Sequence, residues 1–76
     1  MKTYTAITKE AAKYGIRVEN RDGYIRFAAS DYVPAWMTQN GSEWIGFTSN
    51  PEVTGRKYGT KGEVADWCLD WAVNGF

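Results

Sequence analysis

The side chains best suited to chemistry are few. Asp66 and Asp70 stand four residues apart, a spacing that puts both carboxylates on one helix face, where such a pair can hold a cation or share a proton. Between them lies Cys68, the single cysteine of a chain that has no histidine. A thiol without an imidazole lacks its commonest general base, and one thiol alone cannot assemble the usual zinc or copper site. Gly55, Gly59 and Gly62 match neither a phosphate-binding loop nor a dinucleotide fingerprint. The chemistry therefore points to binding rather than catalysis, with no metal and no cofactor. Asp66 and Asp70, with Glu63, read as a solvated acidic stripe, and Cys68, flanked by Trp67 and Leu69, reads as a small buried hydrophobe.

Two sets of residues could carry binding. Trp36 and Trp44 sit on facing arms of an expected hairpin, and exposed tryptophan beside polar groups is enriched in protein-binding hot spots. Together with Glu63, Asp66 and Asp70 they form the set expected to meet a partner protein. The second set is basic and aromatic: Arg17, Tyr24 and Arg26 on one sheet face, with Arg56 and Lys57 in a glycine-bracketed loop. Such a set suits nucleic acid, whose phosphates need cations and whose unpaired bases stack on rings. The formal net charge of zero and an acidic second half favour the protein partner.

These side chains need elements to position them. Ile7, Ala11 and Tyr14 recur with helical spacing between Thr5 and Gly15, Thr5 serving as N-cap and Gly15 as the left-handed stop onto which Ile16 folds. Ile16 to Ala28 reads as a hairpin turning at Asp22-Gly23, both of whose residues are expected at positive φ. Its register sets Glu19 against Arg26 and Val18 against Phe27, charge on charge and apolar on apolar. Asn40-Gly41 suggests a second hairpin with Met37 opposite Trp44, Trp36 opposite Ile45, and Thr38 opposite Glu43. Both of its faces carry large apolar groups, which a sheet covered on one side does not require. Residues 48–59 show no periodicity and read as an exposed loop.

The last helix is announced by Thr60-Lys-Gly-Glu63, a capping box, and continues through Val64, Trp67, Cys68, Trp71 and Ala72 to Asn74-Gly75. Ala65, Leu69 and Val73 widen its apolar arc beyond the stripe of roughly 100° that a surface helix buries. That surplus offers a two-fold contact, so a homodimer is a further expectation. The predicted architecture is α+β in the order α-β-β-β-β-α, an antiparallel sheet of three or four strands with two helices on one face.

The helix-strands-helix order resembles that of the double-stranded RNA-binding domain in topology. At the start of the last helix, however, Thr60-Lys-Gly-Glu-Val-Ala keeps one lysine where that family carries a basic cluster, and Asp66 and Asp70 follow. Size, charge asymmetry and aromatic content are similar to those of small phage-encoded inhibitors of host defence, which implies a host protein as partner.

Length and composition set the outer bounds. The 76 residues make one domain, 1–76, since domains start at roughly 50 residues. No apolar run is long enough to span a membrane and the opening residues lack a signal-peptide pattern, so the chain is expected in the cytoplasm. One cysteine excludes an internal disulfide.

Overall fold

The structure, a computed structural model, describes residues 3–49 and 56–74. In chain order the elements are α1 (Tyr4–Lys13), β1 (Arg17–Arg21), β2 (Tyr24–Ala28), β3 (Ala35–Asn40), β4 (Glu43–Thr48), β5 (Lys57–Gly59) and α2 (Lys61–Asn74). The strands form one antiparallel meander in the order β1-β2-β3-β4-β5. The α+β class and the flanking helices are as the sequence indicates, but the described residues form five strands rather than three or four. β5 is three residues long and lies in the segment read as loop. Among the described residues no helix is long and apolar enough to cross a membrane.

α1 starts two residues earlier than its pattern suggests. Thr3, not Thr5, is the N-cap: its Oγ1 accepts from the Ala6 amide at 3.2 Å. Tyr4 is thereby drawn into the helix, where its hydroxyl donates to Asn20 Oδ1 at 3.0 Å and ties the helix to β1. At the other end the Ile16 amide donates to the Ala11 carbonyl and the Gly15 amide to that of Ala12, with Gly15 at φ 74°. This is the double bond of a Schellman stop, and it delivers Ile16 into the core.

The first hairpin pairs Val18 with Phe27 and Glu19 with Arg26, the register expected. Its turn differs in one respect: Gly23 takes φ 81°, while no described residue other than glycine has positive φ, so Asp22 does not share that conformation. Negative then positive φ is the pattern of a type II turn.

The second hairpin departs by two residues. Asn40 pairs with Glu43, so Gly41-Ser42 rather than Asn40-Gly41 forms the turn, and Gly41 takes φ 66° at its first central position. That is the place where the II′ turn favours glycine. Met37 consequently faces Gly46, Trp36 faces Phe47 and Thr38 faces Ile45. A shift of two leaves every side chain on its original face, because the strand period is two.

Both helices contribute to a single core. Ile7 and Ala11 of α1 and Val64, Ala65, Cys68 and Leu69 of α2 pack with Ile25, Phe27, Ala35 and Met37 of the sheet. The helices therefore share one face of it. Burying a side chain such as Phe27 or Ile7 contributes about 1.5–3 kcal/mol.

α2 is the central helix, lying across β2 to β5 while α1 packs along its flank. Coverage from two sides accounts for the wide apolar arc, so the surplus that suggested a two-fold contact is mostly interior. Trp67 and Trp71 pack against the core half-buried as an edge-to-face pair with centroids 6.1 Å apart. The capping box forms as expected: the Glu63 amide donates to Thr60 Oγ1 at 3.3 Å, and the Thr60 amide donates to Glu63 Oε1 at 3.1 Å.

Candidate functional site

Alternation along the strands decides what the sheet face away from the helices carries. Val18, Ile25, Phe27, Ala35, Met37 and Gly46 point to the helices, so their neighbours point the other way. No described helix lies on that second face. The register sorts most of its side chains into two rows that cross the strands, with the pair Asn40 and exposed Glu43 beyond them at the turn between β3 and β4. One runs Arg21, Tyr24, Thr38, Ile45, Tyr58. The other runs Glu19, Arg26, Trp36, Phe47 and ends on Arg56, just ahead of β5.

The second row is a ladder of planar groups. Arg26 Nη2 meets Glu19 Oε1 at 2.6 Å, a charge-assisted hydrogen bond. Trp36 and Phe47 stack with centroids 5.7 Å apart and planes 13° from parallel. The Arg56 guanidinium lies 5.0 Å from the Phe47 centroid, within cation–π range. Phe47 thus has Trp36 on its β3 side and Arg56 on its β5 side. Trp36, Ile45 and Phe47 are half-buried, while Tyr24 and Tyr58 are 37% and 51% exposed.

Glu19 organises the β1 end. Besides Arg26 it meets Arg17 Nε at 3.5 Å and Arg21 Nη2 at 3.6 Å. Desolvation pushes its carboxyl up, yet the charges and hydrogen bonds of the three arginines outweigh this and hold it below the usual carboxylate range. The Arg26 Nε is buried without an acceptor among the described residues. Beside this cluster a cavity of about 300 Å³ opens between Arg17, Arg26 and the segment 29–33.

All four arginines, Arg17, Arg21, Arg26 and Arg56, are on this open face. The described lysines are not: Lys9 and Lys13 lie on α1 and Lys61 on α2. Lys57 pairs with Gly46 on the helix side of the sheet, where its charge acts on Glu63. The guanidinium is planar, stacks on rings and forks onto carboxylates, so this segregation gathers the cations best suited to recognition.

The expected sites are redistributed accordingly. Trp36 lies on the open face, but Trp44 points to the helices and packs against the core. There Lys61 Nζ sits 4.2 Å from the Tyr4 ring centroid and 5.5 Å from that of Trp44. Glu63 is engaged in the capping box. Asp66 and Asp70 line a groove of about 180 Å³ between the helices with Glu10 and Tyr14, and Asp70 accepts from Asn74. The set Trp36, Trp44, Glu63, Asp66 and Asp70 is therefore spread over three regions and does not form one surface. Of the basic set, Arg17, Tyr24, Arg26 and Arg56 share the open face, and Lys57 alone is turned away.

Ile45, Phe47 and Tyr58 belong to the open face and were not singled out by sequence. The alternation in Glu43-Trp-Ile-Gly-Phe carried the signal for the first two, since Ile45 and Phe47 share the face of Trp36 in either register. Cys68 has no part in the site. Its Sγ donates to the Trp36 carbonyl at 3.5 Å from the helix side, and burial pushes the thiol up to about 12 against the opposing Phe47 backbone hydrogen bond.

Compared with known proteins, the chain matches no family model, no curated protein and no solved structure.

Proposed function

We propose that this chain is a non-enzymatic protein-binding module and that it contacts its partner through the open face of the sheet. The observation that supports this most is the row Arg26, Trp36, Phe47, Arg56, flanked by exposed Tyr24 and Tyr58. Trp, Tyr and Arg are the residue types that dominate protein-binding hot spots. Trp36 and Phe47 are stacked on paired strands, so little of their side-chain freedom is lost on contact. The inhibitor likeness names the same class of partner, a protein, and adds no residue to the site.

One experiment separates this face from the acidic stripe. Capture of a partner by the tagged chain should be abolished by Trp36→Ala and retained in the double variant Asp66→Lys, Asp70→Lys. The reverse pattern would move the contact to the helices.

A second reading, binding of single-stranded nucleic acid, is favoured by one observation: all four arginines lie on this face. Binding of a labelled oligodeoxythymidine that falls steeply between two salt concentrations would support it.

A further inference from the structure

The charges of the open face narrow what can cover it. At the β1–β2 margin Arg17, Arg21 and Arg26 outnumber Glu19 and Asp31, the latter lining the cavity beside Arg17 and Arg26, and at the β5 margin stands Arg56. Between the margins Trp36, Thr38, Ile45 and Phe47 are uncharged, and the carboxylate of Glu43 lies beyond them at the turn end of β4. The face is cationic at both flanks and apolar in the middle.

A second copy of the chain fits this pattern poorly. Laid face to face about a two-fold axis parallel to the strands, the β1 margin meets the β5 margin of the copy. About an axis across the strands, each margin meets itself. Either arrangement opposes cation to cation, which disfavours association. Stacking of nucleic-acid bases is also hindered, because the two sides of the Phe47 ring are occupied by Trp36 and Arg56.

A segment lying on this face meets side chains and no free backbone, since the peptide groups of β2, β3 and β4 are paired within the sheet. Such a segment has to satisfy its own peptide groups, as a helix does. From Arg26 on β2 to Arg56 beside β5 is three strand spacings, roughly 14 Å. A helix returns to the same side after eleven residues, roughly 16 Å along its axis, which flexible guanidinium arms can match.

We propose that the partner presents an acidic amphipathic helix that lies across the strands, with carboxylates at i and i+11 on Arg26 and Arg56 and apolar side chains at i+4 and i+7 on the Trp36–Phe47 stack. This rests on the open face being the contact surface proposed above.

The test is selection of a displayed library of random 18-residue peptides against the immobilised full chain, followed by affinity measurement on purified variants. Enriched peptides should carry the acid–apolar–apolar–acid spacing. Arg56→Ala, an exposed change that leaves the core intact, should weaken them about tenfold. Trp36→Ala, checked for folding by circular dichroism, should abolish their binding. Enriched peptides that are basic or uncharged but still depend on Trp36 would overturn the acidic helix and leave the binding face standing. Peptides indifferent to Trp36→Ala, or no enrichment, would overturn both. Tight binding of labelled oligodeoxythymidine to the same face, or a dimer in sedimentation that Trp36→Ala dissolves, would replace the helix with nucleic acid or a second copy.

Discussion

The indole of Trp67 fills the space that a side chain at Gly46 would need. A Cβ built there would come within 2.8 Å of Trp67 Cε3, closer than real Cβ contacts allow, and within 3.0 Å of Val64 Cγ1, tighter than most. The absence of a side chain on β4 is what lets α2 settle onto the sheet. Gly46→Ala should lower unfolding free energy by about 1–3 kcal/mol through overpacking. Urea denaturation measures this, and a change under about 0.5 kcal/mol, the scale of ordinary surface substitutions, would contradict the close approach.

The start of α2 rests on the reciprocal bonds of Thr60 and Glu63. Thr60→Ala should cost about 1 kcal/mol, the usual loss for an N-cap. Hydrogen bonds from the Thr60 backbone and side chain hold the Glu63 carboxyl below its ordinary range, and the Lys57 charge adds to this. A depressed folded pKa means that the contribution is complete above the unfolded value near 4.3 and is lost as pH falls through the folded one. Glu63→Gln should therefore flatten the acid limb of stability against pH, which denaturation at a series of pH values would detect.

Glu19 obeys the same sign rule for a different cause, the three arginines around it outweighing desolvation. Protonating it in acid removes the partner shared by Arg17, Arg21 and Arg26 on the open face. Stability held by the cluster is present above the unfolded carboxylate pKa and declines below it. Glu19→Gln should lose this acid dependence and should make the wild-type difference shrink in high salt. An acid limb identical in both proteins would show that the cluster carries no net stability.

Cys68 titrates in the opposite direction. Its folded pKa, about 12, lies above the ordinary thiol value near 8.5, so its contribution is complete below the unfolded pKa and is lost as pH rises towards the folded one. The native thiol should be inert to an aromatic disulfide reagent at pH 8 and react at the rate of chain opening. Rapid labelling of folded protein would place the sulfur in solvent. Cys68→Ala, which deletes one buried heavy atom, should destabilise by ~1 kcal/mol.

The architecture was legible where local chemistry had one solution. Thr60 and Glu63 could only serve as a cap, and Asp22-Gly23 with its charge and apolar pairs admitted a single register. The second hairpin was ambiguous because a slip of two preserves faces: Trp36 stays outward and Met37 inward whether the turn is Asn40-Gly41 or Gly41-Ser42. What decides between them is distant in sequence, namely that Gly46 must lie under Trp67 and opposite Met37. β5 escaped notice because three residues carry no period, and Arg56 and Lys57 read as a pair because nothing local says that adjacent strand residues part to opposite faces. The open face was therefore half visible, Arg17, Tyr24 and Arg26 correctly grouped and Phe47 and Tyr58 missing.

The stack of Trp36 on Phe47 is the consequence of that register, and it can be measured in solution. A double-mutant cycle on Trp36→Ala and Phe47→Ala should give a coupling of roughly 0.5–1.5 kcal/mol, the range for aromatic pairs. A cycle on Trp36→Ala and Ile45→Ala should give less, because in the observed pairing Ile45 is opposite Thr38 and only diagonal to Trp36. The slipped register reverses the order of the two couplings, since it sets Trp36 directly against Ile45. The same cycle bears on binding. If the stack is already formed in the free chain, the contact surface is preorganised, and removing Phe47 should weaken a partner's hold even where the partner touches only Trp36.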